Sequence, residues 1–233
     1  TFFQRGAGTI VYNGVINLGT DRIFARTDTG TVTVNSTGNS WVSARVANGQ
    51  IRIGANNALA TAPFSFGEGN GNNGILELNG FSQAVTGLNT FATSTGTNHI
   101  LRNSSLTSAS TFTFATAAAT TDTLTNVQVQ GTVTALGTLH MVSNGLGRTE
   151  FNGGFLGANS WTVNSGTVAF TGTNNRVLSG NVTGLAAATI EKGGASTLTV
   201  SGTWNNAGVT SVAGGALVLG GASNNLGTTN VNA

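Results

Sequence analysis

The sequence predicts an all-β chain wound as a parallel β-helix (solenoid) of about ten coils, occupying residues 1–233 as a single domain. Three observations carry that prediction. Short runs alternate strictly between apolar and polar residues, as in residues 197–200 (TLTV) and 216–219 (ALVL), which is the pattern of a strand with one buried face. Gly and Asn clusters bound these runs, and the same phrase recurs about every 19 to 25 residues, within the period range of solenoid coils.

Taken in order, residues 1–8 read as an irregular lead-in whose Phe2 and Phe3 form a capping or docking pair. The strand phrases then begin: GTIVY from Gly8, GTVTV from Gly30, GQIRI from Gly49 and GILEL from Gly74. Looser versions follow as HILRN from His99, DTLTNVQV from Asp122 and GTVTALGTLHMV from Gly131. The pattern sharpens again in GRTEF from Gly147, GTVAF from Gly166, ATIEK from Ala188, STLTV from Ser196 and GALVL from Gly215. Between them lie short segments such as INL near Ile16, WVSARV from Trp41, WTVNS from Trp161 and VLSGNVTGL from Val177. Two or three strands per period, joined by tight polar turns, make one β-helix rung. No window shows the i, i+3, i+4 spacing of a helix, and Gly with β-branched residues at this density disfavours one. Asn pairs at 56–57, 72–73, 174–175, 205–206 and 224–225 mark corners, because Asn tolerates the left-handed backbone. Stacked coils align such side chains into hydrogen-bonded ladders. Ten coils at about 4.8 Å each give a rod roughly 50 Å long.

Composition excludes several classes. Gly accounts for 35 of 233 residues and charged residues for 7%, against a norm of about 25% charged. Disordered chains pair low hydrophobicity with high net charge, whereas this one is 39% hydrophobic with a formal charge of +2. Nine basic residues spread along the chain form no basic stripe, so nucleic acid is not an expected partner. The chain has no cysteine, which removes disulfides and thiolate metal sites, and no run of 18 apolar residues, so no membrane insertion by a helix of this segment is expected. It starts at Thr1 with no leader pattern and reads as a processed or excerpted part of a longer secreted chain.

Residues 51–88, IRIGANNALATAPFSFGEGNGNNGILELNGFSQAVTGL, resemble the autotransporter-associated β-strand repeat (passenger-associated transport repeat), whose members carry a phrase of the form L-x-L-G-x-x-N-A-L followed by G-x-L-x-L-N-G-F-x-Q-x-V-x-x-L. Residues 196–233 are similar to the same repeat in its G-G-x-L-x-L-G form. Together these cover roughly a third of the chain. The resemblance implies a secreted right-handed β-helix of the kind that serves adhesins, protease-bearing passengers and large surface proteins. The C-terminal membrane barrel that often accompanies such passengers is not part of this sequence.

β-Helices also host polysaccharide lyases and hydrolases, and glycoside hydrolysis generally needs two carboxylates about 5 to 9.5 Å apart. The acids are Asp21, Asp28, Glu68, Glu77, Asp122, Glu150 and Glu191, mostly a coil or more apart. In TDRIFARTD an uninterrupted strand places Asp21 opposite Arg22, Arg26 and Asp28, which predicts a solvated or ion-paired strand edge. Glu77, Glu150 and Glu191 could still be stacked on another acid by the coil. His99 and His140 are too few for a metal cluster and are expected on outward positions. No G-x-S-x-G elbow occurs. Phe112, Phe114, Phe151, Phe155 and Phe170 are expected in the core, as are Trp41, Trp161 and Trp204, with a sugar-stacking platform as the alternative for the tryptophans. Sequons stand at Asn35, Asn103 and Asn181.

The sequence therefore predicts no catalytic, cofactor or metal residues, and an extracellular structural or adhesive rod. Few charges favour self-association, and residues 228–233 (TTNVNA) continue the repeat without a cap. The expected partners are other copies of the chain, end to end or side by side in a fibre, together with surface glycans or host cells. A glycan-binding or glycan-cleaving β-helix, lyase-like or tailspike-like, is the alternative; its mark would be an outer face on which acids and Trp converge.

Overall fold

The structure, a computed structural model, describes residues 1–232 apart from 70, 72, 95, 133–137 and 158. Asn72, Ala233 and the middle of the phrase from Gly131 lie outside the described residues. The described chain contains strands and turns, with parallel ladders throughout, and forms a parallel β-helix of about ten turns.

Each turn visits three faces. The stretch through Asn159–Val163, Gly166–Phe170 and Arg176–Leu178 completes one circuit. Val182–Gly184, Ala188–Lys192 and Thr197–Val200 then stack on those strands in the same order. The first face runs from Phe2–Gln4 through Ile23–Arg26, Ser43–Val46 and Phe64–Phe66 to Leu88–Thr90. It resumes at Thr121–Leu124 and continues to Thr228–Val231. The second face is a seven-stranded sheet ending at Phe155–Leu156, continued by a three-stranded one, and the third is a six-stranded sheet from Gln83–Val85 to Trp204–Asn206. The recurring sequence phrase is not confined to one face. GTVTV and GALVL lie on the second, GRTEF and GTVAF on the first, and the HMV of the phrase from Gly131 on the third.

Two expectations need correction. Residues 1–8 are not an irregular lead-in, because Phe2–Gln4 pairs in register with Ile23–Arg26. Phe2 packs on Tyr12 and Phe24, whereas Phe3 points outward beneath the Arg5 guanidinium. Asn also serves the corners differently from the left-handed role predicted. Among the described paired asparagines only Asn57 has positive φ, at 53°. Others act through their amides: Asn175 Oδ1 accepts from the Thr197 N–H at 2.9 Å and Asn224 Oδ1 from that of Trp204 at 2.9 Å. The expected coil-to-coil amide ladders do form, from Asn35 to Asn13 at 2.7 Å, Asn164 to Asn144 at 2.6 Å and Asn225 to Asn205 at 3.3 Å.

Alternation fills the interior. Val32 stacks on Ile51 and Ile51 on Leu76, all fully buried, while Thr31 and Thr33 face out. The five core phenylalanines and all three tryptophans are buried as predicted. Trp41 stacks on Phe24 with ring centroids 4.6 Å apart. A sugar-stacking role for the tryptophans is therefore ruled out by their burial, at 5% exposure or less.

The glycine that opens so many strands has a packing cause. Gly166 has φ 67°, and a Cβ on it would sit 2.5 Å from the carbonyl oxygens of both Gly145 and Gly147 in the coil below. Gly74 likewise lies directly on the Val46 carbonyl. The strand begins where the chain rounds a corner, and coils spaced at strand distance leave no room there for a side chain. Gly166→Ala is expected to destabilise the rod by about 1–3 kcal/mol, read as a lowered urea midpoint.

Candidate functional site

Charged residues in a chain this poor in them indicate where polar chemistry was needed. Besides Arg45, which is 7% exposed and paired with Glu68, three cations are buried among the described residues: Arg26 at 0% exposure, Lys192 at 1% and Arg176 at 6%. Each sits at the corner between the first and second faces and grips backbone carbonyls. Lys192 Nζ donates to Gly193 at 2.5 Å, Gly194 at 2.9 Å and Gly214 at 3.1 Å. Arg176 Nη1 donates to Phe151 at 3.0 Å and Gly153 at 2.9 Å. Arg26 donates to Gly30 at 3.0 Å and to the Gly6 carbonyl. Burial lowers the pKa of all three, opposed at Arg26 by Asp28 and reinforced at Lys192 by Arg176. These are clamps across corners, where the turning backbone points carbonyls inward; those of Gly30 and Phe151 also accept from the Gln50 and Thr171 N–H groups of the next coil. The solvated edge expected of TDRIFARTD is thus overturned at Arg26, which lies under the corner, although Asp21 and Arg22 are exposed. Alternation itself holds there, since Arg26 shares the inward side with buried Phe24; the sequence did not display the corner carbonyls that receive its guanidinium.

The acids are held as firmly. Glu77, 1% exposed, accepts from the Asn79 and Ser104 N–H groups at 2.8 and 3.0 Å and pairs with Arg102 at 2.6 Å. Asp28 accepts from the Gly6 N–H at 2.7 Å, and Glu68 pairs with Arg45 at 3.3 Å. Asp122 Oδ2 accepts from the Leu88 N–H and the Thr116 hydroxyl at 3.1 and 2.8 Å.

One pair of acids does converge. Glu150 and Glu191 lie on one outward row of the first face, with Ala169 on the coil between them. Arg148 fills the space between, reaching Glu150 at 2.7 Å and Glu191 at 2.6 and 3.0 Å. Its guanidinium is held protonated, chiefly by the bonds to Glu191 and then by those to Glu150. A glycosidic bond would have to occupy the place this guanidinium takes.

The histidines divide. His140 is outward on the third face as expected, with Nδ1 2.6 Å from Ser160 Oγ and Nε2 3.2 Å from Thr162 Oγ1. His99 is not outward: it is fully buried at a corner. Its Nδ1 accepts from the Gly74 N–H at 3.1 Å, so Nε2 carries the proton and donates to Ser94 Oγ at 3.1 Å. Ser94 is therefore a recipient of a hydrogen bond and is not activated as a nucleophile. Burial holds both imidazoles below their ordinary value of 6.5. The unfolded chain takes up protons near pH 6.5 that the folded chain refuses, so stability is full above that pH and falls as pH drops below it. The melting temperature is expected to be lower at pH 5 than at pH 7.5, with a flatter profile in a His99→Gln, His140→Gln double variant.

The first face has one interruption. No ladder joins Leu88–Thr90 to Thr121–Leu124; instead Asp122 caps the Leu88 N–H, and Thr90 Oγ1 exchanges bonds with the Thr125 backbone at 2.9 and 3.2 Å. The strands stay splayed over a groove of about 480 Å³ lined by Asn89, Thr90, Phe91, Ala92, Ser94, Thr121, Thr123 and Thr125. The long coil that precedes it was legible as looser phrasing after His99, but the groove itself carried no sequence signal. Of the sequons, Asn103 is sequestered at 1% exposure and donates to the Ser108 carbonyl at 2.9 Å. Among the described residues no three acids or histidines group as metal ligands, and no helix is long and apolar enough to cross a membrane.

By fold the protein is a parallel β-helix. Comparison with protein-family models, curated proteins and solved structures gives no match.

Proposed function

We propose that the chain is a non-catalytic extracellular rod, a structural or adhesive surface component that associates with its own kind and with surface glycans. The observation that carries this reading is the use made of the acids. Apart from exposed Asp21, each of them accepts a bond from the backbone or from an arginine. An active site needs a carboxylate or imidazole left over for substrate. A continuous apolar core without cysteine also suits a rod that must persist outside the cell. The sparse outward charge, among rows of Thr, Ser and Asn, favours contact between surfaces over repulsion.

The test pairs two measurements on the intact chain. Incubation with a panel of neutral and acidic polysaccharides is expected to release no reducing ends and no unsaturated uronates. Beads coated with the chain are expected to attach to cells or to one another. Cleavage that disappears in Glu191→Gln would replace this reading with a glycan-cleaving enzyme.

A further inference from the structure

Three features of the groove on the first face bear on what it can hold. It lies where the ladder is broken, so its walls are two strands held apart by side chains and not by each other. All of its lining side chains are uncharged, and all but Phe91 and Ala92 carry a hydroxyl or amide. Charge is confined to its two flanks. Arg45, paired with Glu68, stands on one side, and Arg148 with its two glutamates stands on the coil next to Thr121 and Thr123 on the other. Asp122, the acid nearest the groove, is occupied by Leu88 and Thr116.

Phe91 is the second part of the argument. A phenyl ring 40% exposed on a soluble rod is ordinary by itself, but this one is fixed. The Arg45 guanidinium lies 4.5 Å from its centroid, and Arg45 is itself buried and tied to Glu68. The ring is thereby held at the groove wall, in a lining it shares with Thr121, Thr123 and Thr125. A rigid aromatic surface beside convergent hydroxyls and amides, with no charge, matches a ligand with one apolar ring face and a rim of neutral hydroxyls. The volume of about 480 Å³ lies within the roughly 300–1,000 Å³ of small-molecule sites.

We infer that this groove binds a short stretch of an uncharged glycan, with Phe91 as the platform for one sugar ring and the threonine and asparagine side chains as partners for its hydroxyls. The inference rests on the adhesive reading above and names what the rod adheres to. A carboxylated glycan would bring its charge into a groove with no cation in its lining and with Glu150 and Glu191 on the adjoining row, which disfavours it.

The test is calorimetric titration of the full chain with four neutral hexasaccharides (xylo-, cello-, malto- and β-1,4-galacto-) and with hexagalacturonate, alongside Phe91→Ala and Thr123→Arg. At least one neutral hexasaccharide is expected to bind, with affinity reduced about tenfold or more in each variant and hexagalacturonate binding more weakly than that neutral sugar. Circular dichroism checks the fold, and Thr123→Arg fills the groove with Phe91 still in place. Binding of no neutral hexasaccharide, binding of hexagalacturonate alone, or unchanged affinity in a folded variant would overturn the inference. Bead attachment separates the two readings: attachment that persists in such a case leaves an adhesive rod without this groove, and groove-dependent sugar binding without attachment removes adhesion alone.

Discussion

Trp161→Ala is expected to destabilise the rod by about 3–5 kcal/mol and to divide its unfolding into two transitions. Trp161 is 1% exposed on the third face, and its indole meets rings from both other faces edge-on. The centroids lie 4.8 Å from Phe151 and 5.1 Å from Phe170 on the first face and 5.8 Å from Phe155 on the second. Truncation leaves a cavity across the whole section of the rod. In a solenoid, stability is a sum over coils and the interfaces between neighbours, so a weakened section uncouples the coils before it from those after it. The two remaining tryptophans report on opposite sides: Trp41 stacks on Phe24 near one end, and Trp204 donates to Thr210 at 3.2 Å near the other. Urea titration of the variant should give a fluorescence change in two steps, and far-UV circular dichroism should follow both. One coincident transition at the original midpoint would show that Trp161 does not couple the two halves. Trp161→Phe is the control. The Trp161 Nε1 is buried with no hydrogen-bond partner among the described residues, so phenylalanine loses packing but also removes an unpaired donor. Its cost should stay near 1 kcal/mol.

The fold was legible because it is written in local rules. Alternation of Val32 and Val34 with Thr31 and Thr33 states which face is buried, and the spacing of the phrases states that coils repeat. What could not be read was the assignment of each phrase to a face, because GTVAF and GALVL obey the same alternation on different sheets. That assignment depends on corner lengths, set by glycines whose role is defined only by the coil beneath them. The charged residues were misread for a related reason. Arg26, Lys192 and His99 stand at the ends of strands in phase with buried Phe24, Ile190 and Leu101, so alternation alone turns them inward; what the sequence does not display is the corner backbone that supplies their partners. The meeting of Glu150 with Glu191 could be foreseen as a possibility of stacking, but the Arg148 between them is visible only once the register is known. The groove was invisible altogether, since Thr, Ser and Asn also line outward rows where no groove forms.

Lys192→Met should cost about 3 kcal/mol, because it leaves the cation's partners in place and removes only the cation. Exchanging a buried ion pair for apolar groups is often neutral, since both desolvated charges disappear together. Here the acceptors are the backbone carbonyls of Gly193, Gly194 and Gly214, which no side-chain substitution can delete. Methionine fills nearly the same volume, so a packing role alone predicts little loss. A clamp predicts that carbonyls from two successive coils become buried without donors, each costing about 1–3 kcal/mol. Lys192→Gln distinguishes charge from donor count: it retains two N–H donors without the charge and should recover part of the loss. The loss should be local as well. Hydrogen exchange is expected to accelerate at Thr210 and Val212, in the strand that pairs with Ala188–Lys192, while Val32 and Ile51, far along the rod, keep their protection. If Lys192→Met matched the parent in urea midpoint and exchange, the corner carbonyls would have found water instead, and the buried cations of this rod would be passengers on its corners and not the clamps that close them.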